Sequence, residues 1–325
     1  MEDSLGPIDT LLSPVILFFA LGAFAAIVRS DLVIPEAMAK AMSLFLMAAI
    51  GLKGGVQVAS AGFSGDMLRA GAAGMMLSFA LPFLAFAALR SFGRLDGLNA
   101  GAVAAHYGSV SVVTFATASE VLTRSGMAPA GYMVAILALM ETPAIVSGLL
   151  LAQRGGQSQA RAGGHLWREV FFNGSVVLLL GAFAIGAVVG KTKYEPIAPM
   201  FTGLWSGVLC LFLLDMGLVA VRRLRESRSV TPRLAALAIA LPLVNGTIGA
   251  AVGAGIGLDP GSAAALAILA ASASYIAVPA AMRLALPRAD AGLYLSMSLA
   301  ITFPFNIVVG IPVYTALARA FTGAL

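Results

Sequence analysis

Ten stretches of this chain are long and apolar enough to cross a lipid bilayer, and that feature decides most of what it can fold into. They run at roughly 11 to 28, 34 to 52, 68 to 89, 98 to 123, 130 to 152, 171 to 190, 197 to 221, 233 to 256, 261 to 286 and 290 to 317. A spanning helix needs about 20 mainly apolar residues. Only 11% of the residues are charged and 60% are hydrophobic, whereas roughly a quarter of a soluble domain is charged. A water-soluble fold is excluded. In hydrocarbon each backbone amide must be paired within the protein, so the pattern predicts an all-α polytopic membrane protein.

The two halves of the chain resemble one another. LGAF occurs at 21 to 24 and 180 to 183, Gly-Leu at 51 to 52 and 217 to 218, Leu-Pro at 81 to 82 and 241 to 242, and Leu-Asp at 95 to 96 and 258 to 259. Ala-Gly opens the fifth span at 130 to 131 and its counterpart at 291 to 292, and Pro143 and Pro304 interrupt them. The offset stays near 160 residues, which predicts a first repeat over 1–152 and a second over 171–325. The Gly-, Gln- and Arg-rich stretch at 153–170 reads as a solvated cytoplasmic linker. Five spans per repeat is an odd number, so the second copy enters from the opposite side. Ten helices in two inverted five-helix repeats are expected.

Lys and Arg set the orientation. With the N-terminus outside, the inner loops hold most of the twenty, with a cluster from Arg222 to Arg233, and the outer side holds Lys53, Arg69, Arg124, Lys191, Lys193 and Arg319. Both termini are expected outside a cytoplasmic (inner) membrane. The N-terminal MEDSLGPID shows no sign of a cleaved signal peptide. The basic residues are scattered between apolar runs, so the net charge of +5 speaks for topology and not for nucleic acid. Cys210 stands alone in an apolar segment and reads as a small buried hydrophobe, without disulfide or metal.

Inverted-repeat transporters hold substrate and ion near the midplane, at discontinuous helices. The fourth span of each repeat carries the sign of one, a small polar patch at mid-span: GSVS (108 to 111) in one copy and SASY (272 to 275) in the other. Unwinding there exposes amides that favour an anion and carbonyls that favour a cation, and Ser109, Ser111, Thr114, Ser272 and Ser274 add hydroxyl oxygens. The plain alternative is close helix packing, with each Ser bonded to its own backbone. Intramembrane acids usually have a task. Glu141, just before Pro143, Asp215 and His106, which adjoins the first patch, are therefore candidates for coupling or gating, Glu120 is a further intramembrane acid, and Lys53 and His106 are possible partners of these acids. Asp215 has a structural alternative as partner of the Arg222–Arg228 cluster. GAAVGAGIG (249 to 257) lacks the preceding strand and the Lys-Ser/Thr of a phosphate loop, and neither a nucleophile motif nor a metal-ligand cluster is found, so no enzyme is expected.

LVIPEAMAK (32 to 40), HYGSVSVVTF (106 to 115), LMETPAIVSGLLLA (139 to 152) and ITFPFNIVVGIPVY (301 to 314) resemble the sodium-dependent bicarbonate transporter family, over nearly the whole chain. The resemblance implies Na+-coupled bicarbonate uptake where two broken helices cross, in a trimer divided into a transport unit and a scaffold. Matched by motif, Gly108, Ser109, Val110 and Ser111 contribute from one half and Ala271, Ser272, Ala273, Ser274 and Tyr275 from the other, with Na+ at Ser109, Ser111, Ser272 and Ser274. It also implies a PII-type regulatory protein on the cytoplasmic face. Cyanobacterial members carry an Asp where this chain has Tyr275, and a phenol is a poorer Na+ ligand than a carboxylate. Two alternatives stand beside bicarbonate uptake. One is a symporter or exchanger for an organic carboxylate, or a proton-coupled exchanger using Glu141; the other is a membrane receptor whose output is the PII-type partner.

Overall fold

A computed structural model describes residues 12–62, 64–154, 174–227 and 229–324, and no strand occurs among them. The helices in chain order are α1 (Pro14–Ile27), α2 (Glu36–Ala61), α3 (Gly65–Ser91), α4 (Gly97–Gly108), α5 (Val112–Arg124), α6 (Met133–Leu139) and α7 (Glu141–Arg154). After the linker come α8 (Gly174–Tyr194), α9 (Trp205–Glu226), α10 (Pro232–Gly255), α11 (Pro260–Ala271), α12 (Ala277–Ala285) and α13 (Ala291–Thr322). Among the described residues six helical stretches are long and apolar enough to cross a membrane: α2, α3, Met133–Gln153 across α6 and α7, α8, α10 and α13. The α4 and α11 helices have 12 residues each. At 1.5 Å per residue that is about 18 Å, short of the roughly 30 Å hydrocarbon core.

Side-chain caps fix several helix starts. Asp96 accepts from the Asn99 N–H at 2.9 Å and Asp259 from the Ser262 N–H at 2.9 Å. The repeated Leu-Asp thus opens the fourth stretch of each half. Burial works against the Asp96 carboxylate, but the Asn99 backbone and side-chain amides outweigh it and hold its pKa below the usual value. In α13 the chain widens into π-helix at Ser296–Thr302 and Asn306–Gly310, on either side of Pro304, which cannot donate to the ladder.

The helices associate across the two halves of the sequence. The α1 helix packs chiefly on α9 and α2 on α8, while α3 to α7 pack with α10 to α13. Lipid is as apolar as leucine, so close approach and internal hydrogen bonds must hold such bundles. Glycines supply the approach: a Cβ at Gly217 would collide with the backbone of Phe19, and one at Gly55 with that of Phe183. The 34 to 52 boundary expected for the second span therefore fails. Gly51, Gly54 and Gly55 are contact positions inside a helix that continues to Ala61, which puts Lys53 within α2 and not in an outer loop.

The seventh stretch also differs from expectation, since α9 starts at Trp205 and carries Arg222, Arg223 and Arg225 on its last turns. Arg225 donates to the Ala26 and Ile27 carbonyls at 2.9 Å each, and Arg222 to that of Leu32 at 2.9 Å. Arg225 thus satisfies the C-terminal end of α1, and Arg222 holds the loop that follows it. Arg228 of the cluster lies outside the described residues, and Asp215 forms no ion pair with Arg222, Arg223 or Arg225. Asp215 is buried on α9 and makes no ion pair among the described residues, although the charge of Arg222 still acts on it, and the guanidinium groups of Arg222 and Arg225 are bonded to carbonyls. Cys210 is buried on the same helix. The linker at 153–170 lies outside the described residues beyond its first two positions.

Candidate functional site

The fourth stretch of each half is interrupted where the small polar patches stand. The α4 helix stops at Gly108 because Ser109 turns extended (φ −89°, ψ 176°), and α5 restarts after Ser111, also extended. The α11 helix stops at Ala271 because Ser272 is extended (φ −76°, ψ 161°), and α12 starts at Ala277. Gly108 is required by its neighbour: a Cβ there would fall on the Pro82 ring of α3.

The two interruptions are bonded to each other. The Ser111 N–H donates to Ser272 Oγ at 3.0 Å, and the Ser274 N–H donates to the His106 carbonyl at 3.0 Å. His106 Nδ1 donates in turn to the Ser274 carbonyl at 2.5 Å, which fixes the tautomer, and the ring stacks on Tyr294 with centroids 4.6 Å apart. Ser111 Oγ accepts from the Thr114 N–H at 3.2 Å and from the Thr114 hydroxyl at 3.0 Å, capping α5. Ser272 Oγ donates to the Leu269 carbonyl at 2.8 Å. Gly108, Ser109, Val110, Ser111, Thr114, Ala271, Ser272, Ala273, Ser274 and Tyr275 thus belong to one assembly, buried except for Tyr275, which is half-buried.

Two carbonyls at the broken ends are held by residues that sequence reasoning misses. Asn245 on α10 donates to the Tyr107 carbonyl at 3.0 Å, and Asn306 on α13 donates to that of Ala271 at 2.9 Å and accepts from the Tyr314 hydroxyl at 3.0 Å. Both were detectable as lone amides in apolar runs, where an unpaired polar group is costly. Ser78 on α3 is the third. Its Oγ donates to the Met140 carbonyl at 2.5 Å and accepts from the Ala144 N–H at 3.2 Å, a pair that an unbroken helix would join directly. The hydroxyl is therefore inserted in the ladder beside Pro143, where α6 gives way to α7.

Glu141 is buried at that kink, and its backbone carbonyl accepts from Ser109 Oγ at 3.5 Å. Asp215, on α9, is not brought to the interruptions. Tyr275 packs edge-on against Phe303 at 5.3 Å. Buried polar atoms on these elements without a hydrogen-bond partner among the described residues include His106 Nε2, Ser119 Oγ and Asn245 Oδ1. The C-terminal ends of α4 and α11 and the N-terminal ends of α5 and α12 meet here. They offer carbonyl oxygens to a cation and amide hydrogens to an anion at one place. The described residues hold no group of three or more His, Cys, Asp or Glu that could bind a metal ion.

The family model described as the Na+-dependent bicarbonate transporter superfamily matches residues 14–319. The chain belongs to this superfamily. No curated protein matches it. As a member of the Na+-dependent bicarbonate transporter superfamily, the protein is a multi-pass membrane transporter and not an enzyme.

Proposed function

We propose that the protein imports a small anion, bicarbonate first, together with Na+, at the crossing of α4–α5 with α11–α12. The observation that carries this reading is the reciprocal bonding of the two interruptions, Ser111 to Ser272 and Ser274 to His106, which gathers four helix ends in the buried interior. Na+ would travel on Ser109, Ser111, Ser272 and Ser274 and on freed carbonyls. The anion would meet the amides of α5 and α12, with His106 Nε2 accepting from a bicarbonate hydroxyl. Superfamily membership supports Na+ as the coupling ion.

In this reading the chain forms ten spans in two inverted repeats, 1–152 and 171–325. The matched caps Asp96 and Asp259, the matched Pro82 and Pro242 within α3 and α10, and the matched interruptions support it. The bundle of α3–α7 with α10–α13 moves past that of α1, α2, α8 and α9, in a cytoplasmic membrane with both termini outside. Assembly as a trimer and docking of a PII-type protein follow the superfamily likeness.

The test is uptake of labelled bicarbonate into proteoliposomes with and without an inward Na+ gradient, for wild type, Ser109→Ala and Ser272→Ala. Gradient-driven uptake lost in both variants supports the site; none by folded wild type removes bicarbonate. Tyr275, a phenol in place of an acid at the second interruption, favours a second reading, an organic carboxylate carrier. Proton coupling through Glu141 belongs to that reading. Glu141→Gln should then abolish uptake of such an acid at any Na+ concentration.

A further inference from the structure

A cleft of about 220 Å³ lies between the two bundles, away from the serine crossing but next to it in the chain. One wall is α2 with Ile50, Lys53 and Gln57, and the opposite wall is α5 with Phe115, Ser119 and Glu120. Tyr194, Trp205 and Ser206 close the side formed by the ends of α8 and α9. Phe115 follows Thr114, the residue that caps onto Ser111, so the inner end of the cleft abuts the start of α5.

The two charged residues that line this cleft, Lys53 and Glu120, are not paired with each other. Glu120 is occupied: it accepts from Arg124 Nε at 2.8 Å and from the Ser206 hydroxyl at 2.9 Å. Lys53 has no ion pair among the described residues and stands well inside α2, away from either end of the helix. Its side chain is exposed, so the ammonium is open to an ion that enters the cleft. Gln57, one turn further along the same face, adds a carboxamide to the wall. Aromatic and small polar side chains complete a lining suited to a small planar anion and too short of cations for a polyvalent one.

We propose that this cleft is an anion-binding vestibule, in which Lys53 and Gln57 hold bicarbonate or a monocarboxylate of similar size before it reaches the serine crossing. The inference rests on the reading of the protein as an anion importer, and adds to it a separate recognition site and a residue that sets apparent affinity. Lys53 acts on capture, so its removal weakens half-saturation and leaves the maximal rate standing.

Trp205 in the wall provides a direct reading. The chain has two tryptophans, and the other, Trp167, is removed by Trp167→Phe. Bicarbonate, formate or chloride is titrated at constant ionic strength onto the purified full chain while Trp205 emission is followed, and uptake is measured in parallel. Bicarbonate or formate should give a saturable change, weakened about fivefold by Lys53→Gln and retained by Lys53→Arg, as for loss of one charge contact in a partly wet cleft. Uptake should show the same shift in KM with unchanged kcat.

An unaltered response in Lys53→Gln, or none in wild type while uptake proceeds, overturns the vestibule and spares the transport reading. An equal response to chloride overturns the assignment to carboxylate-type anions. A Lys53-dependent response without uptake keeps the vestibule and removes the transport reading.

Discussion

The backbone N–H of Ser111 donates to the hydroxyl of Ser272 at 3.0 Å, although the two residues are 161 positions apart. That hydroxyl also donates to the Leu269 carbonyl, so it closes the broken end of α11 while supporting the first residue before α5. Ser272→Ala leaves a buried N–H and a buried carbonyl without this partner, each at about 1–3 kcal/mol. Transport should fall by tenfold or more, and the melting temperature in detergent should drop. Ser272→Thr keeps the hydroxyl and should recover most of the stability. Wild-type uptake by Ser272→Ala would contradict a site at the crossing.

The two asparagines should not be equivalent. Asn245 contributes one hydrogen bond, to Tyr107, whereas Asn306 contributes two, to Ala271 and from Tyr314. A buried bond whose partner is left unpaired costs about 1–3 kcal/mol. Asn306→Leu should therefore destabilise the protein by about twice as much as Asn245→Leu, as read by thermal unfolding in one detergent. Equal losses would mean that the Tyr314 hydroxyl finds another partner.

How far the sequence foretells this arrangement differs by element. Both interruptions are legible, because Gly-Ser-Val-Ser and Ser-Ala-Ser-Tyr combine weak helix formers with hydroxyls in runs that are otherwise strong helix formers. Leu-Asp is legible as a repeated signal, although its meaning as a helix start emerges only from the Asn99 and Ser262 amides it holds. The partners of the broken ends are not legible. Asn245, Asn306 and Ser78 act on carbonyls and amides between 35 and 138 positions away, and no local periodicity encodes which helix will face them. The Gly-Leu at 51 to 52 misleads for the same reason. A glycine that ends a helix and one that admits another backbone look alike until the partner helix is in place.

That contact gives a prediction confined to the first bundle. A side chain at Gly55 would strike the backbone of α8 at Phe183, with Ala187 close behind. Overpacking of this kind costs about 1–3 kcal/mol. Gly55→Val should lower thermal stability by that amount and shift α2 away from α8. Gly65→Ala, with open space around it, should leave the stability within about 0.5 kcal/mol of wild type.

Asp96 offers a test through pH. Hydrogen bonds from Asn99 favour its ionised form, so its pKa in the folded protein lies below the ordinary value for Asp of about 3.9. A depressed folded pKa means that the carboxylate's contribution is complete above the unfolded value and is lost as pH falls through the folded one. Stability near neutral pH should thus be insensitive to this group, with the loss confined to acid below about pH 3.9. Asp96→Ala should cost about 1 kcal/mol at pH 7 by removing the cap of α4, and the difference from wild type should narrow as the pH drops below that value. A constant difference down to pH 3 would show that the side chain's charge plays no part in holding Asn99, and that its role is packing alone.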